Sequence, residues 1–271
     1  MSTPEPAPRV LAFYTDTVDE SARLLTSADG RLEMVRTQEL LRRHLPAAPA
    51  RLLDVGGGPG THARWLVECG YTVHLVDPVP RHVETARSAG CTVELGDARR
   101  LTADDGSYDV VLLLGPLYHL IDGADRHRAL TEAYRVLRPG GVVAAAGINR
   151  YASLFEHTAI AHLHDDRVHG SIAKILATAT HDGKPAFTEA HFHRGEELRD
   201  ELGVAGFETP EVFGIEGPTW AMLKAVEQYT GSTVAGTPLF ESALAAARMA
   251  EPYPELLAAS SHLLAVGRRP V

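Results

Sequence analysis

Apolar residues along this chain come in two rhythms. Short, nearly continuous runs at 52–55, 72–76, 108–114 and 142–147 have the length and content of buried strands. Between them the apolar positions recur every three or four residues, the spacing of one helix face. Strands alternating with helices from Arg51 to about Arg150 predict a parallel sheet with helices packed on it. Residues 9–45 carry helical periodicity alone, with Ala22, Leu25, Leu40, Leu41 and Leu45 among the apolar positions and Pro46 at the end. Beyond residue 150 the pattern predicts a helical insert over about 151–195, a helix over 196–203, a strand over 208–215, a helix over 219–230, an Ala-rich helix over 238–251 and a last strand over 262–268. The chain thus divides into an N-terminal tail and helical lid, 1–45, and one α/β domain, 46–271, that carries the insert.

The first apolar run ends in Asp54-Val55-Gly56-Gly57-Gly58-Pro59-Gly60-Thr61 and opens an amphipathic segment. A strand, a tight turn and a helix start follow one another there. Glycines spaced G-x-G-x-G let a ligand lie against the backbone and let the turn reach positive φ. The dinucleotide fingerprint requires G-x-G-x-x-G, and its third glycine, counted from Gly56, falls on Thr61. A nicotinamide cofactor is therefore disfavoured.

With Asp54 ahead of the glycines, this motif resembles the first motif of the class I S-adenosylmethionine (SAM) dependent methyltransferases. Later segments extend the resemblance in order: Asp77 closing the second strand, Gly96-Asp97-Ala98 after the third, Tyr108 to Leu114 as the fourth, and Leu137-Arg138-Pro139-Gly140-Gly141 before the fifth. It covers residues 50–150 strongly and the remainder weakly. The family implies a Rossmann-like, mostly parallel sheet of seven strands, the antiparallel last one inserted between the fifth and sixth, with helical lids. It also implies SAM as cofactor, cradled by Asp54, Gly56, Gly58, Gly60, Ala98 and Leu114, with Asp77 accepting the ribose hydroxyls and Asp97 the adenine amino group.

In open α/β sheets ligands sit outside the carboxyl ends of the strands. His119 and Tyr118 follow the fourth strand and belong at that edge, His119 as a general base. Tyr14 can enter from the N-terminal lid and serve the same chemistry. Tyr118, His191, His193 and Glu216 are the expected acceptor contacts, and one lid or the other covers them. The run His162-Leu163-His164-Asp165-Asp166 with His169 invites a metal, but His162 and His164 diverge on a helix, and no metal site is expected.

Net charge is −9 and no run of Lys and Arg exceeds two residues, which speaks against a nucleic-acid substrate. Hydrophobic content of 45% comes without an apolar stretch long enough to span a bilayer, and the first residues lack the basic start and apolar core of a secretory signal. Two cysteines, Cys69 and Cys91, read as buried thiols in a reducing cytoplasm. The expectation is a cytoplasmic methyltransferase acting on a small molecule at C, N or O, with no nucleic-acid or membrane partner. The competing readings are a non-catalytic ligand-binding protein of the same fold and, more distantly, an NAD(P)-dependent oxidoreductase.

Overall fold

The computed structural model describes residues 11–14, 20–184 and 187–271. The expected tail at 1–8 and residues 9–10 and 15–19 of the expected lid lie outside them. Helices α1 (Glu20–Thr26) and α2 (Ala28–His44) lead into β1 (Arg51–Val55), α3 (Thr61–Glu68), β2 (Thr72–Asp77), α4 (Pro80–Ala86), β3 (Thr92–Leu95) and β4 (Tyr108–Leu113). A one-turn helix α5 (Pro116–His119), α6 (Gly123–Val136) and the long β5 (Leu137–Asn149) complete the alternating part. Ser27 caps α2 by accepting from the Gly30 N–H, and Asp122 caps α6 by accepting from Ala124.

The insert starts as predicted, with α7 (Ala152–Ala159) and α8 (Asp166–Thr178), but then departs from helix. Strands β6 (Thr180–Lys184) and β7 (Phe187–His193) form an antiparallel hairpin, with Thr180 opposite His191. The reason is visible in the residues: Phe187-Thr188-Glu189-Ala190-His191-Phe192-His193 alternates across a strand, burying Thr188, Ala190 and Phe192, and Gly183 supplies the positive φ near the turn. Helix α9 (Gly195–Val204), β8 (Glu208–Gly214), α10 (Trp220–Thr230), α11 (Pro238–Ala250) and β9 (His262–Arg268) follow.

The seven strands of the main sheet run β3-β2-β1-β4-β5-β9-β8; β9 is antiparallel to both its neighbours and the other contacts in that series are parallel. The hairpin joins through β7, which pairs in parallel with Ile148 and Asn149 at the carboxyl end of β5. Alternate residues of the strands build two cores. Leu52, Leu75, Val110 and Leu112 pack with Leu40, Leu41, Ala63 and Leu66 on one face. Leu53, Val111 and Leu113 pack with Leu130, Leu198 and Leu202 on the other. A third cluster ties the insert down: Leu32 of α2, Ile175 of α8 and Phe192 of β7 meet Trp220, Leu223 and Phe240 of the C-terminal helices. Of the two cysteines, Cys69 is exposed where α3 ends, since a helix C-terminus at the surface leaves it nothing to pack against, and Cys91 is half-buried.

Candidate functional site

A cavity of about 410 Å³ opens at the carboxyl edge of the sheet, within the size range of small-molecule sites. The turn after β1 forms its floor. Gly56, Gly58 and Gly60 have φ of +69°, +58° and +88°, where a side chain is strained. For two of them close packing adds a second reason. A Cβ on Gly56 would lie 2.7 Å from the Pro116 ring, and one on Gly60 would lie 3.1 to 3.3 Å from Ala89 and Ala86.

Asp77 ends β2 with its carboxylate fixed by backbone. One oxygen accepts the Gly58 N–H and the other accepts the Val79 N–H, both at 2.9 Å. His82 Nδ1 is 3.1 Å from the same carboxylate, while His82 Nε2 is buried with no partner. Asp54, 1% exposed, has an Oδ2 that meets no donor. Burial, and then the charge of Asp77, push its carboxyl up to about 7. Unpartnered polar atoms on a glycine-floored cavity are what a nucleoside ligand carrying hydroxyl and ammonium donors would satisfy.

Asp97 lies in the cavity as predicted, but its oxygens are not idle. Arg99 donates to them from its backbone N–H, Nε and a terminal nitrogen at 2.7 to 2.9 Å, and its other terminal nitrogen reaches Asp125. The carboxylate is thereby oriented. Ala98 and Leu114 line the cavity beside it.

His119 and Tyr14, expected separately, meet. The Tyr14 Oη and His119 Nε2 are 2.8 Å apart, with the rings edge to face. Arg81 holds the Tyr14 carbonyl at 2.9 Å and the His82 ring packs on the tyrosine, so α4 clamps this residue from the side. Burial pushes His119 down to about 4, against the opposing pull of the Glu189 backbone and of Asp77, so the imidazole is neutral at physiological pH. Tyr118 also lines the cavity.

Three expected acceptor contacts do not line it. His191 and His193 point from one face of β7 toward α9: His191 Nε2 is 2.7 Å from Glu197 and His193 Nε2 is 3.2 Å from Glu201, while Arg150 and Arg126 hold the second oxygen of each carboxylate. Strand residues two apart share a face, as do helix residues four apart, which is why the four side chains zip together. Glu216, 2% exposed, sits beneath the cavity and receives Ser260, the His262 N–H and the His262 ring. In the other motif, Asp165 caps α8 through the Arg167 and Val168 N–H groups. Sequence reasoning missed Arg23, Glu33, Thr37, His62, His82 and His262, all of which line the cavity. Only the i, i+4 spacing of Glu33 and Thr37 and the position of His62 just after the glycines could have pointed to them.

A glycine turn, a carboxylate at the end of β2 and a second one after β3, all at the carboxyl edge of a doubly wound sheet, define a nucleoside-cofactor site. Residues 53–145 match the family described as "Methyltransferase domain". An uncharacterized methyltransferase of Mycobacterium tuberculosis is 43% identical over 99 residues, 36% of this chain and 39% of that protein, so the chain spans well under half the length of that relative. A ubiquinone biosynthesis O-methyltransferase of Methylobacterium nodulans is 30% identical over 191 residues, 67% of this chain and 70% of that protein. The crystal structure of a SAM-dependent methyltransferase of Thermotoga maritima superposes with a TM-score of 0.60 at 21% identity, covering 95% of this chain and 97% of that one, a likeness of fold. The chain belongs to the class I SAM-dependent methyltransferases, and its cofactor is SAM.

Proposed function

We propose that the protein transfers a methyl group to an oxygen of a small hydroxylated molecule, with Tyr14 and His119 as its catalytic residues. The observation that carries this reading is the 2.8 Å Tyr14–His119 contact at a cavity wall, with a histidine pushed down to about 4. Gly56, Gly58, Asp54, Asp77, Asp97, Ala98 and Leu114 would hold SAM, whose sulfonium supplies an electrophilic methyl. Tyr14 Oη is placed to accept a hydrogen bond from the acceptor O–H while it donates to His119 Nε2. Acidity then separates the possible acceptors. A hydroxyl that has gained a methyl is a far stronger acid than protonated His119, so even this weak base takes its proton downhill through Tyr14. An ammonium product is a weaker acid than protonated His119 and would not yield its proton to it. The O-methyltransferase names among the relatives are in line with this choice. The wall that α1 and α2 lend the cavity, through Leu24, Glu33 and Thr37, would help to exclude water and to orient the reactants.

The test is release of S-adenosylhomocysteine over a panel of phenols, enols and amines. Hydroxylated acceptors should turn over. His119→Ala should lower kcat by about 10² to 10⁴, with S-adenosylhomocysteine affinity kept within a few-fold, and Tyr14→Phe should act in the same direction. Turnover confined to amines, or a His119→Ala effect confined to cofactor affinity, would contradict the proposal.

A further inference from the structure

A second polar wall of the cavity comes from α1, α2, the start of α3 and the start of β9, through Arg23, Glu33, Thr37, His62 and His262. Its charges form a chain. Arg23 grips Glu33 with both terminal nitrogens, at 2.7 and 2.9 Å. Glu33 Oε2 lies 3.8 Å from His262 Nδ1, and Glu216 Oε1 lies 2.5 Å from that same nitrogen. The second oxygen of Glu216 accepts the Ser260 hydroxyl and the His262 N–H, each at 2.8 Å. Both carboxylates therefore spend their oxygens on protein donors.

The ring between them is different. Burial alone would favour a neutral His262, but Glu33 and Glu216 outweigh it and push the group up to about 9, so it is cationic at neutral pH. Its Nδ1 is taken, no described residue accepts from its Nε2, and the side chain lines the cavity. Nearby, burial pushes His62 down to about 4, leaving a neutral ring whose Nδ1 is buried without a partner. Ala146 and Ile215 supply apolar surface to the same cavity. With its Nδ1 held by Glu216, the ring turns a protonated Nε2–H toward the cavity, a donor that an anionic oxygen of a ligand can meet with a charge-assisted hydrogen bond.

We propose that His262 is a binding residue for a carboxylate or other oxyanion inside the cavity, donating from Nε2, with Glu216 and Glu33 as the positioning residues that hold the ring. The assignment rests on the reading of this cavity as a joint cofactor and acceptor site. Two sources supply the chemistry: the carboxylate on the methionine part of the cofactor, and an oxyanion on the acceptor.

Calorimetry on the full chain and its His262→Gln variant separates them, using S-adenosylhomocysteine and 5′-methylthioadenosine, the nucleoside thioether that lacks the amino-acid head. If the cofactor is the source, the variant loses tenfold or more in S-adenosylhomocysteine affinity and keeps its affinity for methylthioadenosine. If the acceptor is the source, both affinities stay within threefold. In that case ligand-observed NMR on the S-adenosylhomocysteine complex shows benzoate or phenyl phosphate binding at least tenfold tighter than benzamide or benzyl alcohol, a preference that His262→Gln abolishes. Unchanged S-adenosylhomocysteine affinity together with no charge preference overturns the proposal. Should a thermal melt show His262→Gln unfolded, Glu216→Gln takes its place and must move the same readouts in the same direction. A wild-type protein that binds neither nucleoside would overturn the cofactor site itself, a failure distinct from this one.

Discussion

Asp54→Asn should stabilise the ligand-free protein, and by more as the pH rises. The carboxyl is 1% exposed, has an oxygen with no donor and faces the charge of Asp77, so its native value is pushed up to about 7. An unfolded Asp titrates near about 3.9. Between these values the native state keeps a proton that the unfolded chain has released, so stability is full below about pH 4 and falls as the pH climbs through 7. The loss is about 1.5 to 2 kcal/mol at pH 5 and about 4 kcal/mol at pH 8. Asparagine has nearly the same shape and does not titrate, so the gain from the substitution should grow by about 2 to 3 kcal/mol between pH 5 and pH 8. Urea unfolding of both proteins at pH 5, 6, 7 and 8 measures it, because groups far from Asp54 cancel in the difference. A difference that stays constant across the series would mean that Asp54 ionises normally in the folded protein, and would remove the argument that this carboxyl waits for a donor.

Three further outcomes follow from the same geometry. Asp77→Ala removes an acceptor whose charge-assisted bonds are worth about 1.5 to 3 kcal/mol each, so calorimetry should show S-adenosylhomocysteine affinity falling by one to several orders of magnitude; unchanged affinity in a folded variant would refute the ribose assignment. Gly56→Ala places a Cβ 2.7 Å from the Pro116 ring at φ +69° and should destabilise the protein by about 1 to 3 kcal/mol, read as a lowered urea midpoint; wild-type stability would show that the turn relaxes freely. Hydrogen exchange should slow on S-adenosylhomocysteine binding over α1 and the first half of α2, which contribute Arg23, Leu24 and Glu33 to the cavity. The second half of α2, where Leu40 and Leu41 are fully buried on the sheet, should not change; equal protection with and without ligand over both halves would make the whole segment a fixed cap.

Local patterns carried most of the fold. The glycine turn, Asp77, Gly96-Asp97 and the apolar runs of the strands each declare themselves within about ten residues; the structure puts the first three on one sheet edge and the apolar runs in the two cores beneath it. The hairpin at 180–193 was hidden because alternating Ala190, His191, Phe192 and His193 follow a strongly helical stretch, and two histidines two apart look unpaired until α9 brings Glu197 and Glu201 to them. What sequence could not reveal is long-range pairing. Tyr14 and His119 are 105 positions apart, and Glu216 and His262 are 46 apart; only the assembled sheet and the helices packed on it make them neighbours. The reversal for Glu216 has the same origin: a residue following β8 at the carboxyl edge turned beneath the cavity to hold β9 instead of facing an acceptor.

The most direct test of the account is a crystal structure with S-adenosylhomocysteine bound. It should show the ribose hydroxyls on Asp77, the adenine amino group within reach of Asp97 beside Ala98, and the sulfur facing the space bounded by Tyr14 and His119. A nucleoside lying away from Asp77, or a sulfur turned away from the Tyr14–His119 pair, would contradict it.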